Sequence, residues 1–138
     1  MIIFRKIPPE GINNLPKAAI RYLEEAERRT PANVGRLDIT LEIAKKGYGN
    51  IYLIYNGDWL CGACYILTHD TNKGKVVAPV LVGGDNMHLW QSDFYNFIQD
   101  FSRLVGAVKI HWMGRKGWLK AYPKSRVIGY TFEHDVDR

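Results

Sequence analysis

The chain has 138 residues, 46% of them hydrophobic and 24% charged, with a net charge of +5. That balance excludes the disordered, collagen-like and fibrous classes and fits one globular domain, residues 1–138, burying roughly two thirds of its unfolded surface. No apolar run approaches the ~20 residues needed to span a membrane, and MIIFRKIPPE puts its apolar residues before its basic ones, the reverse of a secretion signal, so a cytoplasmic setting is expected.

Taken in order, Met1 to Ile7 reads as a first strand closed by Pro8-Pro9. Asn13 and Asn14 offer a cap for a helix with Pro16 in its first turn, whose inner face is Leu15, Ala18, Ala19, Tyr22, Leu23 and Ala26. A second helix is expected from Val34 to Lys46, with Leu37, Leu41 and Ala44 inward and Gly47 at its end. Ile51 to Tyr55 has the β-branched and aromatic bias of a strand, Asn56-Gly57-Asp58 is a hairpin signal, and Trp59 to Thr68 returns. His69 to Gly74 reads as a turn, and Lys75 to Val82 as a central strand. Pro79 cannot donate to a ladder, so a bulge or a parting of strands is expected there. Asp85 or Asn86 should cap a third helix with Met87, Trp90, Phe94, Phe97, Ile98, Phe101, Leu104 and Val105 on one stripe and Gln91, Asp93, Asn96, Gln99, Asp100 and Arg103 on the other. Gly106 ends it, Val108 to Met113 is a strand, Lys116 to Ala121 a short helix, and Val127 to His134 a last strand.

The resulting order, β-α-α-β-β-β-α-β-α-β, is buried most naturally as an α/β (α+β) domain with a mixed sheet and helices on both faces. Cys61 and Cys64 are three apart in one strand, where alternation sends side chains to opposite faces. Two buried structural thiols are therefore expected, and no metal site. Lys109, Arg115, Lys116, Lys120, Lys124 and Arg126 concentrate the positive charge late in the chain, as a solvated basic surface or a patch for an acidic partner. No aromatic platform or groove-reading helix accompanies it, which argues against nucleic acid.

The element order resembles the GNAT N-acetyltransferase fold over essentially the whole chain, with a mostly antiparallel sheet. The local wording is similar to small GNAT-like proteins of tailed bacteriophages that resemble the internal virion protein of podophages. The pieces that carry this are Asp38-Ile39 to Tyr52-Leu53, Cys61-Gly62-Ala63, Val82-Gly83-Gly84 with Trp90, and Gly114-Arg115-Lys116-Gly117-Trp118. The resemblance implies acetyl-CoA in a cleft where the fourth and fifth strands splay, with its pyrophosphate on N–H groups at the start of the third helix. Leu81, Val82, Gly83, Gly84, Arg115 and Lys116 are then the cofactor-binding candidates.

The family's turn reads Arg/Gln-x-x-Gly-x-Gly/Ala. Here it is Val82-Gly83-Gly84-Asp85-Asn86-Met87-His88, without the basic residue or the Gly-x-Gly spacing. A carboxylate at Asp85 capping the helix would satisfy its dipole, worth ~0.3–1 kcal/mol, and repel an arriving phosphate. Tyr122, in Tyr122-Pro-Lys-Ser-Arg126-Val127, lands on the family's general acid, with Arg126 and Val127 in place of Gly-Phe. The fourth strand carries no acidic base, which leaves His69, Asp70 or His111 as substitutes. Arg115-Lys116 could hold a phosphate, and Trp118 could anchor an interface or close the core. Two roles are thus implied. One is a phage protein with a degenerate acetyl-CoA motif that binds a phage structural or host protein, in the host cytoplasm or with the virion. The other is an acetyl-CoA-dependent N-acetyltransferase acting on a small-molecule or protein amine.

Overall fold

The computed structural model describes residues 1–29, 36–113, 126–128 and 131–137. Its strands are β1 (Ile2–Ile7), β2 (Asn50–Asn56), β3 (Trp59–Thr71), β4 (Gly74–Gly84), β5 (Lys109–Met113), β6 (Arg126–Ile128) and β7 (Thr131–Asp135). Its α-helices are α1 (Lys17–Arg28), α2 (Leu37–Lys45) and α3 (Gln91–Val105). The strands form one sheet in the order β1-β2-β3-β4-β5-β7-β6. Every neighbouring pair is antiparallel except β4 and β5. A parallel step needs a crossover, and α3 supplies it.

Side-chain alternation sorts the core into two layers. Phe4, Tyr52, Ile54, Val77, Ile110 and Trp112 project to one face, where Trp90, Phe94 and Ile98 of the third-helix segment cover them. Phe94 sits 5.9 Å from both Trp90 and Trp112 between ring centroids, and Phe97 stacks on Phe4 at 4.3 Å. Leu53, Ala63, Ala78 and Leu81 project the other way, against Ala19, Tyr22, Leu23 and Ala26 of α1 and Ala44 of α2. The α+β domain with helices on both faces is therefore observed. Gly106, in the left-handed region at φ 77°, closes α3 with its N–H on the Ser102 and Arg103 carbonyls, as a C-terminal glycine does.

Local expectations fail where a distant partner intervenes. Asn13 and Asn14 do not cap α1: Pro9 seeds a 3₁₀ turn through Asn14, and α1 starts at Lys17 after Pro16 with no side-chain cap. His69 and Asp70 lie in β3 rather than a turn, registered with Val76 and Lys75, because the chain reverses only after Thr71, whose hydroxyl donates to Gly74 O at 2.7 Å. The expected last strand is two, β6 pairing antiparallel with β7. Leu104, at the margin of the helix stripe, is 85% exposed. Gln99, expected outside, is 2% exposed because its amide accepts from Asp137 N–H at 2.7 Å and donates to Asp135 O and Tyr95 Oη. The expected helix over Lys116 to Ala121 lies outside the described residues.

Two bulges reset the alternation. Ile66 pairs with Pro79 and Tyr65 with Leu81, so Val80 is the extra residue beside the proline. Likewise Ile54 pairs with Gly62 and Tyr55 with Leu60, leaving Cys61 extra in β3. That second bulge corrects the expectation for the cysteines. One added residue between Leu60 and Gly62 turns Cys61 toward the layer that also holds Cys64, so both thiols lie in the α3-side core. Both are fully buried and unoxidised, and Cys61 Sγ donates to Ile54 O at 3.4 Å. Burial raises both thiol pKa values, Cys64 the more strongly.

Neither thiol should react with Ellman's reagent at pH 8 in the native protein, and two should react once it is unfolded in guanidinium; fast reaction of either thiol in the native state would contradict this burial. The pH dependence has a defined sign. Burial also pushes the Tyr65 phenol up to about 12 from 10.0. A raised folded-state pKa gives stability that is complete below the unfolded value and lost as pH climbs toward the folded one. Urea midpoints should therefore be flat through neutrality, begin to fall above about pH 9 as the thiols' unfolded value is passed, and fall further from pH 10 to 12.

Candidate functional site

β4 stays paired with β3 through Gly84, but it pairs with β5 only at Val76↔Lys109 and Val77↔Ile110. From Ala78 onward β4 and β5 part, beside the Pro79 and Val80 irregularity that the proline led one to expect. Leu81 and Val82 lie along the opening as core residues, 0% and 3% exposed, Leu81 toward α1 and Val82 toward α3. Their side chains are thus committed to the two core layers.

Gly83 and Gly84 end the strand, and the chain itself fills the space beside both. A Cβ on Gly83 would stand 2.1 Å from the Tyr22 carbonyl oxygen of α1. A Cβ on Gly84 would stand 2.3 Å from the Cys61 carbonyl oxygen and 2.9 Å from the Trp90 indole. Glycine is required here because protein backbone approaches, from the helix on one side and from the β3 bulge on the other.

Asp85 secures the same junction with three groups. Its N–H donates to Cys61 O at 2.8 Å, its carbonyl accepts from Trp90 Nε1 at 3.0 Å, and its carboxylate accepts from Tyr22 Oη at 2.9 Å. Arg21 Nη2 stands 3.9 Å from the same carboxylate oxygen, a half-exposed pair of small energetic weight. Tyr22 Oη also lies 3.1 Å from Leu60 O. Burial, then the hydrogen bond to Asp85, raises the Tyr22 pKa and keeps the phenol protonated as donor.

These contacts overturn the expected cap. Asn86 takes a left-handed turn at φ 51°, Met87–Leu89 forms a 3₁₀ turn, and α3 begins only at Gln91. Neither Asn86 nor Trp90 makes a side-chain cap hydrogen bond. The carboxylate of Asp85 is turned to α1 because the Tyr22 phenol donates to it, so it does not cap the helix. Tyr22 was legible as a core residue, but no local signal joins it to a carboxylate 63 positions away.

Among the proton-transfer candidates, His69 and His111 come together across β4, ring centroids 6.4 Å apart. His111 alternates with Ile110 and Trp112, which pack under α3, so it faces the opposite side of the sheet at the mouth of the parting. Asp70 is exposed on β3. Lys109 of the basic set is ion-paired with Asp135. Tyr122, Arg115 and Lys116, with Trp118, lie outside the described residues.

If Gly83 is there for packing, Gly83→Ala should destabilise the protein by about 3 kcal/mol with no ligand present, since a backbone oxygen must be displaced. Tyr22→Phe should cost about 1 kcal/mol for the lost hydrogen bond to Asp85. Both are read as shifts of the urea midpoint at constant m-value. An unaltered midpoint for Gly83→Ala would mean that the glycine is held open for something other than α1.

No protein-family model matches the sequence, and no curated protein matches it. Solved structures do resemble the fold. FeeM, an N-acyl amino acid synthase from uncultured soil microbes, superposes with a TM-score of 0.70 at 10% identity, over 99% of this chain and 91% of that one. The Bacillus subtilis acetyltransferase in complex with CoA gives 0.65 at 16% identity, over 94% and 79%. A GNAT family acetyltransferase from Elizabethkingia anophelis with acetyl-CoA bound gives 0.64 at 13%, over 93% and 78%. Identities this low speak to architecture and not to activity. The described chain has the fold of the GNAT acetyltransferases.

Proposed function

We propose that the chain is a protein-binding module on a GNAT scaffold, engaging a phage structural or host protein during virion assembly rather than transferring acetyl groups. The observation that carries this reading is the filling of Gly83 and Gly84 by the Tyr22 and Cys61 carbonyls. Glycines that serve a phosphate leave their Cβ space to the ligand. Here that space belongs to the chain. The residues of the turn fit a pyrophosphate poorly for a second reason, which is charge. The described cation beside it, Arg21, faces a carboxylate of equal and opposite charge, so the pair offers an arriving anion no net attraction. The phage setting rests on the resemblance in the sequence, and the fold comparison is compatible with it.

A second reading, an acetyl-CoA-dependent N-acetyltransferase on a small-molecule or protein amine, is favoured by the parting of β4 and β5. In this reading His111, beside His69, would take a proton from an amine, with Tyr122 as the acid that the family resemblance implies. Acetyl-CoA would supply the acyl group.

Calorimetry and thermal unfolding with acetyl-CoA separate the two. The first reading expects no heat of binding and no shift of Tm at millimolar acetyl-CoA. Saturable binding, which at a hundredfold excess over Kd raises stability by ~2.7 kcal/mol, would sink it. In that event Tyr122→Phe should lower turnover several-fold, and unchanged turnover would remove Tyr122 from the chemistry.

A further inference from the structure

Both faces of the sheet are covered by helices, so a protein partner has the edges to bind. One edge is β6, of three residues. The other is β1, six residues long, and no described strand pairs with its outer side. A free strand edge offers a row of N–H and C=O groups to an incoming strand, and natural proteins usually cover, charge or shorten such edges. β1 is charged, but with one sign only.

Three features beside that edge describe what would fit. A groove of about 430 Å³ is lined by Ile3, Phe4, Arg5, Tyr55, Gly57 and Asp58. Ile3 is 48% exposed there, and Tyr55 lies directly opposite it in the β1–β2 register. Arg5 and Lys6 are both exposed, and among the described residues neither makes an ion pair. Pairing β1 with a second copy of itself would set four cations along one short ladder, which disfavours a symmetric dimer. A strand carrying a carboxylate opposite Arg5 relieves the same charge. Ile3 and Arg5 lie on one side of β1, two residues apart, so the matching segment places an acidic residue two positions from an apolar one. Pro8 and Pro9 end the strand and hold the pairing to about six residues, roughly 20 Å.

We infer that the outer edge of β1 receives an extended acidic segment of a partner protein by strand addition, with an apolar side chain of that segment in the groove beside Ile3 and Tyr55 and a carboxylate against Arg5. This rests on the protein-binding reading above and names its surface. Recognition would follow the general mode of strand addition, main-chain hydrogen bonds for affinity and alternate side chains for specificity.

The test titrates the ¹⁵N-labelled full chain with a capped peptide, Thr-Glu-Thr-Val-Thr-Gln-Thr, and with its counterpart carrying Lys in place of Glu. The acidic peptide should shift and protect amides of Ile2–Ile7 and bind roughly tenfold more tightly than the lysine peptide. Arg5→Glu, at an exposed position, should invert that preference, which a merely structural role for Arg5 would not do. Equal binding of the two peptides, no perturbation of β1 amides at millimolar peptide, or shifts confined to another surface would overturn the inference. So would a dimer in sedimentation that Ile3→Lys dissolves, since the edge would then belong to a second copy. The two readings fail separately. Acetyl-CoA binding together with acidic-peptide binding would sink only the non-catalytic role, and the absence of both would sink only this assignment.

Discussion

Two carbonyl oxygens, those of Tyr22 and Cys61, set what the end of β4 can be. They come so close to Gly83 and Gly84 that no other residue fits. The strand therefore ends as a seam, with α1 pressed on one side and the β3 bulge on the other. Asp85 then ties the seam through its N–H, its carbonyl and its carboxylate to β3, Trp90 and Tyr22. Two of these bonds satisfy the Tyr22 hydroxyl and the Trp90 indole N–H, both on buried side chains, and a buried unsatisfied group costs about 1–3 kcal/mol. The position of α1 on the sheet, and the start of α3, both follow from this junction.

The bulges are the second constraint. Each shifts the strand's side chains by one register step, and the sheet uses both. At Val80 the step lets Val80 and Leu81 enter the same layer, just where β4 leaves β5. At Cys61 it brings two thiols into one core and lifts the Cys61 carbonyl against Gly84. Removing either extra residue would turn every following side chain to the wrong face. The bulges therefore belong to the packing of both layers.

Much of this architecture was readable in the sequence because it depends on local rules. The stripe of Trp90, Phe94, Ile98 and Phe101, the hairpin at Asn56-Gly57-Asp58 and the proline disturbance at Pro79 need only periodicity and backbone chemistry. What was not readable depends on partners far away in the chain. Cys61 looks like an ordinary strand residue until β2 is laid beside it. Gln99 looks exterior until the residues near Asp137 reach it. The candidate site divides in the same way. Gly83 and Gly84 signal close backbone approach in the sequence, but not that Tyr22 of α1 lies beside the first and Cys61 of β3 beside the second. Asp85 reads as a helix cap in the sequence and is not one in the structure, because its donor is a tyrosine with no sequence link to it.

That correction changes what Asp85 does at this turn. With Asp85 turned to Tyr22, the carboxylate in the first turn of α3 is that of Asp93, and the residue before the helix makes no side-chain cap. Two constraints hold the turn, the backbone that fills the glycine space and the Asp85 carboxylate bonded to Tyr22. Space is the stronger of the two. A charge can be screened or offset, as Arg21 partly does here, whereas a carbonyl oxygen at 2.1 Å from a would-be Cβ can move only if α1 moves. Moving α1 would uncover Tyr22, Leu23 and Ala26, all of them buried against the sheet. The scaffold thus fixes this turn with the same contacts that hold it folded.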